Sequence, residues 1–210
     1  MLLNLPPQVL IILAFCLIFA LTFHEFGHVY IAHLCGDDTA KEAGRMPLNP
    51  IVHLDLLGSI MVLIAGFGYA RPVPVNPNNF RFRNADFYIA SAGPLMNLLL
   101  GIIASFIYGI LAQQSIIILA GVPLLFLLKL FVIINFNLFL FNLIPLGPLD
   151  GNSVFPQFLP LNLKKRYQRW NIRNGAYVLA GLVLLSIIIP NFNAFSWISK
   201  VSMTMINGLI

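Results

Sequence analysis

Val9 to Ala32 is one continuous apolar run, and further runs of the same kind recur down the chain. At ~1.5 Å per residue it makes about 36 Å of helix, enough to cross a hydrocarbon core of roughly 30 Å. Phe87–Ala112 and Leu124–Ile144 are further spans, and Ala176–Ile189 is a shorter one. Only 9% of the 210 residues are charged and 59% are hydrophobic, with a mean hydropathy of +0.89. Typical globular domains carry about 25% charge, so a free soluble body and a disordered chain are both excluded. A transmembrane barrel would alternate apolar and polar residues along short strands. Here the apolar runs are continuous. The expected fold class is therefore an all-α polytopic membrane protein, one domain over 1–210, with a core at 9–155 and C-terminal helices in 156–210.

The first run is not a signal peptide, because it lacks a basic start and a small-residue cleavage site and contains two histidines and a glutamate. Two cysteines exclude a disulfide scaffold. The net charge of +5 reflects topology rather than nucleic-acid binding, since the basic residues sit between apolar segments. Arg71, Arg81 and Arg83 precede the second span. Lys164, Lys165, Arg166, Arg169 and Arg173 form a basic loop before the last. The positive-inside rule puts both loops in the cytoplasm and the N-terminus outside. A crossing helix needs about 20 apolar residues; Leu56–Ala70 falls short of that and reads as a re-entrant hairpin. Four full spans plus that hairpin make up the expected membrane domain. Ala43–Leu54 and Phe80–Arg83 are weak candidates for a short membrane-associated β-strand. The tail from Phe195 to Ile210 either dips in or lies on the surface.

Inside the first span stands His24-Glu25-Phe26-Gly27-His28. Residues four apart share a helix face, so both imidazoles can point at one metal ion. Glu25 lies beside that point, placed to take up a proton from water and pass it on. One ionisable group inside a membrane costs at least ~2.5–3.5 kcal/mol on insertion scales, so three so close together need a strong compensating interaction. A bound Zn²⁺ supplies one.

A catalytic zinc site uses three protein ligands and keeps one open position. Candidates for the third are Asp37, Asp38, Glu42, Asp55, Asp86 and Asp150. His33 follows His28 by more than a full helical turn and so points away from the pair. His53 lies in a soluble-looking stretch. Asp150 is the best candidate. It sits in the Pro/Gly-rich break Pro145-Leu-Gly-Pro-Leu-Asp-Gly151, and irregular backbone at membrane depth is tolerated where it lines a cavity. Two crossings after the first span return Asp150 to the His24/His28 end only if Leu56–Ala70 does not cross.

Three stretches carry a family resemblance: His24-Glu-Phe-Gly-His28, Ala92-Gly-Pro-Leu-Met-Asn97, and Asn142-Leu-Ile-Pro-Leu-Gly-Pro-Leu-Asp-Gly151. Taken together, they make the chain resemble the site-2 proteases, intramembrane zinc metalloproteases, in a compact form without PDZ or CBS domains. The stretches at 43–50 and 69–77 resemble its small bacterial and archaeal branch. The resemblance implies His24, His28 and Asp150 as ligands of one Zn²⁺ per chain. It implies Glu25 as the catalytic acid/base and Asn142 as a residue beside the active site. It also implies hydrolysis of peptide bonds in or near membrane-spanning segments of protein substrates. The expected location is a multi-pass protein of the cell membrane, with the active site near the cytoplasmic face. The expected partners are a transmembrane helical substrate and the lipid bilayer, with no nucleic acid. A catalytically silent relative that binds membrane proteins would break a ligand or the base, and this sequence breaks none. A zinc transporter would spread ionisable groups through several spans; here they converge on one end of two. The remaining marked residues have structural readings: Gly93 and Pro94 for close packing and a bend, and Asn97, Asn135 and Asn137 for hydrogen bonds between helices. Lys164–Arg173 reads as a headgroup and topology signal.

Overall fold

The computed structural model describes residues 6–46, 48–50, 73–113, 118–119, 122–189 and 192–209. Among them, five long helices carry the architecture: α1 (Pro7–Leu34), α2 (Ala85–Leu111), α3 (Leu124–Asn142), α4 (Leu161–Ile188) and α5 (Ser196–Leu209). The first four are long and apolar enough to cross a membrane, which makes this a multi-pass membrane protein. The only strand pairing among the described residues is a short antiparallel pair, Ile118–Leu119 with Val122–Pro123, between α2 and α3. The strand candidate at Phe80–Arg83 is instead a bend and turn leading into α2. The hairpin expected at Leu56–Ala70 lies outside the described residues, as do His53, Asp55 and Arg71.

The helices begin and end where local chemistry dictates. Pro7 opens α1 at a position whose N–H would have no helical partner in any case. Gly36, at φ +100°, closes it. The Gly36 N–H donates to His33 O and the Asp37 N–H to Ala32 O, which caps the last carbonyls. Asp37 then ties down the returning chain. Its carboxylate accepts from the Thr39 hydroxyl, the Asn79 amide and the Asn76 N–H. Arg81 N–H donates to Cys35 O at 2.9 Å. The chain that leaves α1 is thus back at the same end of the bundle by Asn76, as the parity argument requires.

α2 runs antiparallel to α1. Ala85 and Ile89 pack on Ala32 and Cys35, and Asn97 reaches the Ala20 carbonyl deeper in the bundle. Small residues set the closeness: a Cβ on Gly27 would lie 2.9 Å from the Ala92 carbonyl oxygen, and one on Gly101 would lie 2.7 Å from the Phe136 ring. α3 packs on both, with Ile134 against Cys16 and Ala20 of α1 and with Val132 and Phe136 against Ala104 of α2. α5 lies on α3 through Ile206, and the Ser202 hydroxyl donates to Asn137 Oδ1. The basic stretch Lys164–Arg173, expected as a loop, is helical. It forms the first half of α4, because a run of Leu, Lys, Arg and Gln has high helix propensity and nothing in it breaks the turn.

Candidate metal centre

His24 and His28 project from one face of α1, and Asp150 meets them from the break after α3. The two Nε2 atoms are 3.2 Å apart. His24 Nε2 lies 3.1 Å from Asp150 Oδ2, and His28 Nε2 lies 3.3 Å from Asp150 Oδ1. One donor atom from each residue falls within 4.8 Å of the others. Among the described residues this is the one cluster of metal-ligating groups. A tetrahedral zinc with bonds of about 2.0–2.1 Å spaces its donor atoms roughly 3.3 Å apart.

Hydrogen bonds fix which ring nitrogens are free. His28 Nδ1 faces the Ile89 carbonyl oxygen at 2.7 Å, which can only accept, so Nδ1 carries the hydrogen. His24 Nδ1 faces Asn97 Oδ1 at 2.6 Å. The Asn97 amide nitrogen donates to the Ala20 carbonyl at 3.1 Å and to Asn135 Oδ1 at 3.0 Å, so its oxygen must be the atom turned to His24. Asn135 in turn donates to Phe131 O. With Nδ1 hydrogen-bonded on both rings, each Nε2 is turned toward Asp150. The Nε2 atoms are too close for both to carry hydrogens into the space between them.

Two further observations test whether a cation fits. Asp150 Oδ2 is buried without a hydrogen bond, although His24 Nε2 lies 3.1 Å away. A cation held between these donor atoms would satisfy that oxygen. A Cβ built on Gly93 would lie 2.3 Å from His28 Nε2 and 2.6 Å from His24 Nε2. Glycine on α2 therefore leaves a cradle directly against the two donor nitrogens. The residues fit a divalent metal of the zinc type.

The place of Asp150 depends on Gly151, where a Cβ would come within 2.4 Å of the Leu143 and Ile144 carbonyl oxygens. Only glycine lets the turn after Asp150 stack on the end of α3. Glu25 is buried at 8% exposure, between the two histidines in sequence, and has no hydrogen bond or ion pair among the described residues.

Other sequence candidates fall elsewhere. Asn142 sits at the end of α3, its amide donating to Leu138 O of the same helix at 3.0 Å. Asp37 belongs to the loop clasp. His33 pairs with Asp38, whose carboxylate also faces Lys41. Asp86 lies in the first turn of α2. Gly93, Asn97 and the Ile89 carbonyl belong to this site as well. In the sequence, Gly93 and Asn97 read as packing and interhelical bonding, and their shared place on one apolar helix was the available signal. A backbone carbonyl leaves no trace in sequence.

Fold and site together define a class: a multi-pass membrane protein with two imidazoles and a carboxylate converging inside its helix bundle. Over 166 residues, 77% of this chain and 75% of the relative, it is 40% identical to "Putative zinc metalloprotease YwhC" of Bacillus subtilis (strain 168). The chain belongs to that zinc metalloprotease family. No family model matches it, and no solved structure does.

Proposed function

We propose that this chain is an intramembrane protease of the site-2 type, cutting peptide bonds in or near the membrane-spanning segments of other membrane proteins. The observation that carries the proposal is the convergence of His24, His28 and Asp150, with buried Glu25, on helices long enough to cross a bilayer. His24, His28 and Asp150 hold the ion, and zinc so held supplies Lewis acidity toward a peptide carbonyl and toward water. Glu25 accepts the proton of the attacking water and delivers it to the leaving amine. It is suited to both steps because no other side chain hydrogen-bonds its carboxylate among the described residues. A substrate helix hides its peptide bonds in its own hydrogen bonds, so it unwinds locally before cleavage.

Arg81, the basic half of α4 and the metal-type site share one end of the bundle, which supports a centre near the cytoplasmic face of the cell membrane. The test is cleavage of a tagged transmembrane substrate by the full chain in proteoliposomes, with Glu25→Gln beside the wild type. Loss of general acid–base catalysis predicts at least a ~100-fold slower cut. Equal cleavage by the two proteins defeats the proposal.

A further inference from the structure

We propose that α4 is the positioning element for Asp150, acting through Asn171 and Tyr167; the proposal rests on the metal-ligand reading above. The segment that carries Asp150 holds itself only in part: the Leu149 N–H donates to Leu146 O and the Asn152 N–H to Leu149 O. Pro145 and Pro148 have no N–H to give, and Gly147 and Gly151 add backbone freedom. Further polar groups, Pro145 O, the Gly147 N–H and the Asn152 side chain, are met from α4, the next long helix in the chain. The Tyr167 hydroxyl donates to Pro145 O at 2.7 Å. The Gly147 N–H donates to Asn171 Oδ1 at 3.0 Å. The Asn171 amide nitrogen donates its two hydrogens to Asn152 Oδ1 and to the Tyr167 oxygen. The gripped points, Pro145, Gly147 and Asn152, flank Asp150 on both sides.

Every polar atom of the Asn171 side chain is spent on this clamp. Asn171 is 2% exposed, although its neighbours Trp170 and Ile172 are exposed. The helix is shaped to let the loop approach. A Cβ on Gly175 would lie 2.9 Å from Gly147 N and would collide with Asn171 Oδ1. α4 thus turns its one buried amide side chain onto this loop. None of the clamp residues touches His24, His28 or Glu25 by hydrogen bond, so the role is positioning rather than catalytic.

Zinc affinity of the purified full chain, measured by chelator competition, tests this. Removing a group hydrogen-bonded to a metal ligand typically weakens binding about 10- to 100-fold; Asn171 is one bond further out, and Asn171→Ala is expected to weaken it by about 10-fold. Tyr167→Phe keeps the ring against Phe155 but loses the hydroxyl, and is expected to weaken binding several-fold. Gly175→Ala displaces Asn171 and matches Asn171→Ala, and the double variant is no weaker than either single one. In an Asp150→Ala background, where the two histidines bind weakly, Asn171→Ala changes nothing further, because its effect passes through the missing carboxylate. Wild-type affinity in both Asn171→Ala and Tyr167→Phe overturns the clamp, and so does an equal loss with and without Asp150. No zinc binding by the wild type overturns the metal reading itself, which is a separate result.

Discussion

Gly93→Ala puts the metal reading and a plain packing reading in direct opposition. If Gly93 were an ordinary helix glycine, alanine would help: it removes unfolded-state freedom and improves helix propensity, together worth about 0.4–1 kcal/mol. The structure says otherwise at this position. The new methyl would stand 2.3 Å from His28 Nε2 and 2.6 Å from His24 Nε2, roughly 1 Å inside ordinary contact. The rings cannot retreat cheaply, because their Nδ1 atoms are held at 2.6 and 2.7 Å by Asn97 and the Ile89 carbonyl. A shift of that size breaks at least one of these bonds or removes one donor from the ion. Loss of an outer hydrogen-bond partner alone costs about 10- to 100-fold in affinity, so displacing a ligand costs more than about 100-fold, or roughly 2.7 kcal/mol and upward. Gly181 of α4, where a Cβ meets nothing within 4 Å, is the control. The assay is zinc content and chelator competition, with thermal unfolding of the metal-free protein alongside. Gly181→Ala keeps full affinity and gains stability; Gly93→Ala loses the metal. Wild-type zinc affinity in Gly93→Ala would refute the placement of the ion between these histidines.

Asn97→Ala removes the acceptor that orients His24 and strands Asn135 Oδ1, so zinc affinity falls about 10- to 100-fold and the metal-free bundle loses about 1–3 kcal/mol, read by chelator competition and by thermal melts. Retained affinity with the same stability loss would reduce Asn97 to an interhelical tie. Asp37 governs an acid-sensitive clasp outside the membrane. Burial would raise its carboxyl, but hydrogen bonds from Thr39, the Asn76 N–H and Asn79 outweigh that and hold it below the usual range. Its stabilisation is therefore present above the ordinary carboxylate pKa of about 3.9 and is lost as pH falls through the lowered folded value. Asp37→Ala should be less stable than wild type at pH 7 and converge on it in acid; a gap that stays constant with pH would contradict this.

Much of the fold was legible because long apolar runs admit few structures. α1, α2 and α3 begin and end within about two residues of the expected spans. α4 was missed over its first half because charge was read as loop. A helix leaving the membrane keeps its own backbone bonded and needs no apolar face to continue, so Lys164–Arg173 stays helical at no cost. The site divided in the same way. His24, His28 and Asp150, which the structure brings together, were readable because ionisable groups in apolar surroundings demand an explanation. The parts that hold them in place are neutral: an amide on Asn97, a missing side chain at Gly93, a carbonyl at Ile89, an amide on Asn171. Neutral groups cost little to insert one at a time, so nothing in the composition marks them.

Buried amides and hydroxyls across the bundle are met by the protein itself. Asn97, Asn135, Asn171 and Ser202 are all buried, and all have hydrogen-bond partners. Among the described residues the one fully buried side-chain atom left without a hydrogen bond is Asp150 Oδ2, the oxygen that faces His24. An unmet buried charge costs far more than an unmet amide, so this oxygen, 3.1 Å from His24 Nε2, is where a cation would be stabilised most. Protonating His24 at Nε2 would supply a donor, but the second Nε2 at 3.2 Å leaves no room for His28 to do the same. One divalent cation would satisfy all three donors at once, beside the space that Gly93 leaves open.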